Sequence, residues 1–101
     1  MLNPPSAIFA ANDQSAIGVF QAAEELGLSI PEDLSVIGFD NISDAKYLGL
    51  TTIDQFLADM GYVAIQMLVN LINDQPLDVH VHKMPTKLVV RNSCRALTGV
   101  V

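Results

Sequence analysis

The side chains best placed to do chemistry are Asn12, Asp40 and Gln55. Asn12 and Asp40 each follow an apolar run with strand character, residues 7–11 and 34–39, and Gln55 lies just past a third, residues 50–53. In open α/β sheets, ligands bind in the crevice outside the carboxyl ends of the strands. A carboxylate accepts hydrogen bonds there, and an amide both donates and accepts. Such a set suits the vicinal hydroxyls of a sugar or the ring nitrogens of a base. A plainer reading competes: Asn12 and Asp13 only cap a helix, and Asp40-Asn41 only makes a turn. Spacing alone leaves both open.

Other constellations are weaker. His80 and His82 fall on one strand face, as a metal pair needs, but no third ligand has suitable spacing and no metal is expected. Ser6, Ser15 and Ser35 lack the Gly-x-Ser-x-Gly setting of an activated nucleophile. Gly18, Gly27 and Gly38 are isolated and build no phosphate-cradling loop. Asp40 and Asp44 could form an acid–base pair only if one were enclosed and desolvated, which nothing in the sequence suggests. The sequence therefore reads as non-enzymatic and without a cofactor.

Periodicity shows the elements that must position these residues. After the run at 7–11, Asn12-Asp13 can start a helix. Ala16, Ile17, Phe20, Ala23 and Leu26 follow at the spacing of one helix face, and Gly27 is placed to end it. A turn at 30–33 leads into the second run. Strand, helix and strand in so short a stretch make a βαβ unit with parallel strands, both runs buried on two faces. A helical turn is expected around 44–47. The longest helix opens at Asp54 or Gln55 and runs to about Asp74, with Leu57, Met60, Val63, Met67 and Leu71 on its stripe. Residues 79–93 read as extended, with Pro85 at an edge or bend. Lys83, Lys87, Arg91 and Arg95 are all odd-numbered, so an unbroken strand puts them on one face.

The bulk numbers bound the function. The chain has 101 residues, 11 acids against 5 bases, a net charge of −6 and a hydrophobic half. That allows one small domain and excludes disorder. An acidic balance argues against nucleic-acid binding by this chain. Residues 1–45 hold seven acids and no Lys or Arg, whereas residues 79–101 hold four bases and no acid. The basic end is expected to pair across the fold with the acidic first half, or to form a solvated strand face. No apolar run is long enough to span a membrane, and the first five residues lack the pattern of a signal peptide. A single cysteine, Cys94, suits a reducing cytoplasm.

The order of these segments also resembles a known family. Pro5-Ser6-Ala7-Ile8-Phe9-Ala10-Ala11-Asn12-Asp13-Gln14 is similar to the opening of the last part of the effector-binding domain in lac-repressor/galactose-repressor transcription regulators. Gly27 through Asn41, Leu50-Thr51-Thr52-Ile53-Asp54-Gln55, Met60-Gly61 and Pro85 through Cys94 continue the pattern. The loop before Leu50 departs from it: it is short and lacks the double proline many members carry. The resemblance implies an α/β fold, parallel-sheet βαβ layers forming part of a type I periplasmic-binding-protein-like lobe. Residues 1–55 are then the C-terminal lobe unit, 56–74 a long crossover helix and 79–101 a returning strand segment, with the DNA-binding head absent.

By that resemblance, Asn12 and Asp40 match effector-binding positions, and Gln55 matches a cleft position near a crossover between lobes. Asp13 is a helix cap. Gln14, Ile17, Gly18 and Gln21 on the first helix, with Tyr47, match homodimer contacts. The implied partners are a sugar or purine-like effector and a second copy. Operator DNA is reached only through the missing head, and no membrane is involved. A periplasmic sugar-binding protein of the same fold is the alternative. The mean hydropathy of +0.38 then reflects surfaces made to be covered, and the chain is expected not to persist as a monomer.

Overall fold

The computed structural model describes residues 3–77 and 80–97. The elements are β1 (Ala7–Phe9), α1 (Asp13–Glu25), β2 (Ser35–Ile37), α2 (Ser43–Leu48), β3 (Thr52–Asp54), α3 (Leu57–Ile72) and β4 (Lys87–Val89). β1 and β2 pair in parallel, with Ile8 opposite Val36. Parallel bridges join Ile37 to Thr51 and Asp40 to Asp54, so β3 extends the layer on the far side of β2. β4 closes antiparallel on β3, with Ile53 opposite Leu88. The expected α/β architecture with a parallel βαβ unit is present.

α1 shows why these residues choose these elements. Gly27 adopts φ 72°, a left-handed conformation that glycine reaches without penalty. Its N–H donates to the Glu24 carbonyl at 3.2 Å and that of Leu28 to Ala23 at 2.8 Å, the paired bonds of a Schellman ending. The turn that follows is tied by Asp33, whose carboxylate accepts from the Ser29 amide at 2.8 Å. The core beneath is small: Ala10, Ala16, Leu34, Val36, Ala45 and Leu50, with Ile8, Val19, Phe20 and Ile30 against it.

Residues 91–95 complete this half from the far end of the sequence. Val36 donates to the Ser93 carbonyl at 2.8 Å. The buried Ser93 hydroxyl accepts from the Thr51 amide at 2.8 Å and donates to the Val36 carbonyl at 2.5 Å. It thus joins β2 to the start of β3.

Three expectations are corrected. β1 is not buried on both faces: Phe9 is 66% exposed, because β2 covers one edge of β1 and, among the described residues, no second layer lies over its outer face. The extended segment expected over 79–93 contains only the three residues of β4 as strand; residue 79 itself lies outside the described residues. The four bases accordingly do not share a strand face. Arg91 and Arg95 do cross to the first half, but they meet carbonyl and amide oxygens rather than carboxylates. Arg95 donates to the Glu32 carbonyl at 2.8 Å, and Arg91 to the Asn41 side chain at 2.9 Å.

Candidate functional site

The carboxyl ends of β1, β2 and β3 lie side by side, and each carries a polar residue. Asn12 has extended backbone (φ −158°, ψ 174°) and is the N-cap of α1; its Oδ1 accepts from the Ser15 amide at 2.7 Å. The capping reading is therefore correct for its oxygen, while the amide nitrogen lies outside the cap.

Asp40 and Gln55 are brought into direct contact, the Gln55 amide donating to the Asp40 carboxylate. The backbone that makes this possible is unusual. Asn41 has φ 59°, in the left-handed region that Asn tolerates best outside glycine, and Asp40 has φ 124°, beyond that region and costly for any residue with a Cβ. Phe56, beside Gln55, has φ 54°. The strained positions thus flank the two polar side chains. Asn12, Asp40 and Gln55 are all half-buried, on one edge of the sheet rather than inside a closed chamber.

A second layer of polar groups supports this edge. Asn41 donates to the Asp54 carboxylate at 3.2 Å and accepts from Arg91 at 2.9 Å. Arg91 also donates to the Leu50 carbonyl at 2.8 Å. Asp54 turns its other oxygen to the Phe56 amide at 2.8 Å, fixing the start of α3. The bidentate reach of a guanidinium makes arginine suited to joining the loop after β2 to the loop before β3. Among the described residues, no buried side-chain polar atom lacks a hydrogen-bond partner.

Asp13 corrects an expectation. It is not the cap, because Asn12 is. Its carboxylate is fully buried and accepts from the Thr52 hydroxyl at 2.6 Å and the Ile42 amide at 2.9 Å. Sequence reading names Asp13, Asp54 and Arg91 but not these supporting roles. The available signal was Gly38: an isolated glycine in a strand marks a close approach. A Cβ at Gly38 lies 2.1 Å from the Asp13 carboxylate and 2.9 Å from Leu50.

Of the residues expected at a dimer contact, Gln14, Ile17, Gly18 and Gln21 recur at helical spacing on one face of α1, and Tyr47 lies on α2. Gln14, Gly18 and Gln21 are exposed, Ile17 is half-buried, and Tyr47 is 85% exposed. A groove of about 400 Å³ runs beside them, lined by Ile17, Phe20, Gln21, Leu28, Ile30 and Leu48. His80 and His82 are exposed, and among the described residues no group of three or more His, Cys, Asp or Glu could hold a metal. No helix among them is long and apolar enough to cross a membrane.

Comparison with known proteins agrees with this arrangement. Residues 1–94 match the model of a periplasmic binding protein-like domain. The chain is 41% identical over 90 residues to the ribose operon repressor of Halalkalibacterium halodurans, covering 87% of this chain and 27% of the relative. It is 42% identical over 95 residues to the HTH-type transcriptional repressor PurR of Vibrio vulnificus, covering 92% of this chain and 28% of the relative. The crystal structure of a LacI family transcriptional regulator from Enterococcus faecium with bound ribose superimposes with a TM-score of 0.88 at 34% identity. It covers 95% of this chain and 37% of that one. The chain thus spans about a quarter of the length of the curated relatives it matches.

Proposed function

Because the chain belongs to the periplasmic-binding-protein-like domain family, in the group of lac-repressor-type regulators, we propose that it forms one wall of the effector cleft of a small-molecule-responsive transcription regulator. The observation that carries this reading is the Asp40–Gln55 pair, held on adjoining strand ends by backbone in costly conformations. Strain of that kind persists only where the surroundings over-determine it, and it concentrates at ligand clamps.

In this reading Asp40 accepts from effector hydroxyls, Gln55 orients Asp40 and offers its own carbonyl, and Asn12 donates through its amide nitrogen. The effector is a sugar or a purine-like molecule. The name of one relative and the ribose bound in the Enterococcus faecium regulator support a sugar. Effector binding in the longer protein shifts the population between operator-binding and non-binding states, by as much as the effector prefers one of them. No step requires catalysis or a cofactor, and the regulator acts in the cytoplasm. The α1 face with Tyr47 and the adjoining groove pairs with a second copy.

One wall supplies only part of the contacts, so the 101-residue chain binds its effector weakly, with Kd on the order of millimolar or above. NMR titration with D-ribose, and separately with adenine, tests this. Shifts clustered at Asn12, Asp40 and Gln55 with one ligand support the reading and choose its class. Shifts confined to other regions, or micromolar affinity for this chain alone, overturn it.

A further inference from the structure

The wall described above gives no role to the carboxylate of Asp13, whose bonds go to the turn after Asp40 and to β3 before Gln55. We propose that Asp13 is the positioning residue of the cleft: it fixes the turn carrying Asp40 against β3 and so sets the spacing of Asn12, Asp40 and Gln55. The proposal rests on the effector reading for its purpose, but not for its geometry.

The backbone and side chain of this one residue bracket the strained turn. The Asp13 N–H donates to the Phe39 carbonyl at 2.9 Å, just before Asp40. The Asp13 carboxylate accepts from the Ile42 N–H at 2.9 Å, just after Asn41. The two residues with positive φ, Asp40 and Asn41, lie between these bonds. The second carboxylate oxygen accepts from the Thr52 hydroxyl at 2.6 Å, three residues before Gln55. Asn12 is the adjacent residue. Each member of the wall is thus within three residues of an Asp13 hydrogen bond.

The chemistry favours a carboxylate here. Both partners donate, and each carboxylate oxygen of Asp13 accepts from one of them. A buried charge is costly unless hydrogen-bonded in this way. Gly38 leaves the space that the carboxylate fills, since any side chain there would occupy it. The cost of burying Asp13 is thus offset by bonds that tie the turn to β3.

The test uses the full chain and three variants, Thr52→Val, Thr52→Ser and Asp13→Asn, read by amide exchange and by D-ribose titration. Thr52→Val is expected to speed exchange at Ile42 about 10-fold and to weaken D-ribose binding by about as much, while Val36 and Ala16 keep their protection. Thr52→Ser restores both. Asp13→Asn gives the same local pattern in milder form, because an amide can still donate to the Thr52 oxygen, and it decides the matter should Thr52→Val not fold. A uniform loss of protection across the core shows a general stabilising role and overturns the proposal. Unchanged exchange at Ile42 overturns it, as does faster exchange with D-ribose affinity unchanged. If the parent chain gives no D-ribose shifts, the effector reading for that sugar falls, while the exchange pattern alone still decides whether Asp13 holds the turn.

Discussion

The two long helices of this chain meet opposite fates. α1 buries Asp13, Ala16 and Ala23 against β2 and the core. α3 is longer and more apolar, yet not one of its sixteen residues is buried. Tyr62, Ile65, Leu68, Leu71 and Ile72 are all half or more exposed, apart from Leu68 at 49%. Apolar composition therefore does not decide burial; a complementary surface does. α1 has one in the sheet it crosses, and α3 has none among the described residues.

The imbalance shows in the whole molecule. The radius of gyration is 18.4 Å, against about 13 Å for a compact chain of this length. The accessible surface is 7445 Å², whereas a compact protein of 10.9 kDa exposes about 5600 Å². The excess of roughly 1900 Å² is of the size one partner contributes to a large obligate interface.

Substitutions can break or sharpen this contrast. The largest effect is expected from Gly38→Ala in the compact half. Its Cβ meets both the Asp13 carboxylate and Leu50, and relieving that clash displaces the buried carboxylate from its donors. Thermal unfolding should show a loss of about 3 kcal/mol; a loss under about 1 kcal/mol would mean the two halves are equally loose.

Next in size is self-association. Light scattering at high concentration should show the chain paired rather than monomeric. Replacing Ile65 and Leu68 by Lys should return it towards monomer more strongly than Ile17→Lys, since α3 offers the larger uncovered apolar face. The reverse order would make the α1 groove the stronger contact, and a monodisperse parent monomer would remove the argument from exposed area.

The smallest effect has the opposite sign. Gly61 sits in α3 with open space where a Cβ would stand. Gly61→Ala should raise stability or helicity by about 0.5–1 kcal/mol, read by circular dichroism, because glycine costs that much in a helix interior. Destabilisation instead would reveal a close neighbour over that face.

The same contrast explains what could be read from the sequence. α1 and α3 follow from periodicity and from stop signals such as Gly27, which are local, whereas α2, six residues long, reads only as a helical turn around 44–47. The Asp40 and Gln55 positions follow from the strand-end rule, and the structure joins them. Asp13, Arg91 and Ser93 were not legible in this way, because their roles depend on partners 29 to 57 residues away. Thr51 and Thr52 look like ordinary β-branched strand formers, yet one hydroxyl accepts from the Arg91 amide and the other donates to Asp13. The short extent of β4 and the exposure of Phe9 likewise depend on which neighbours are present, a tertiary property that no local pattern encodes.

The Ser93 junction has a consequence for how the chain comes to be folded at a ribosome. Its hydroxyl bonds Val36 and Thr51, and the following Arg95 amide donates to Ser35 across 60 positions. β2, β3 and α3 are all synthesised before the residues that join the two strands. At about 5–20 residues per second, that interval lasts seconds, longer than a helix needs to form. During it the sheet lacks the hydrogen bonds that Ser93 and Arg95 supply. Closing a loop of that length costs more entropy than the local contacts of α1 or α3, so the Ser93 junction is expected to form after them.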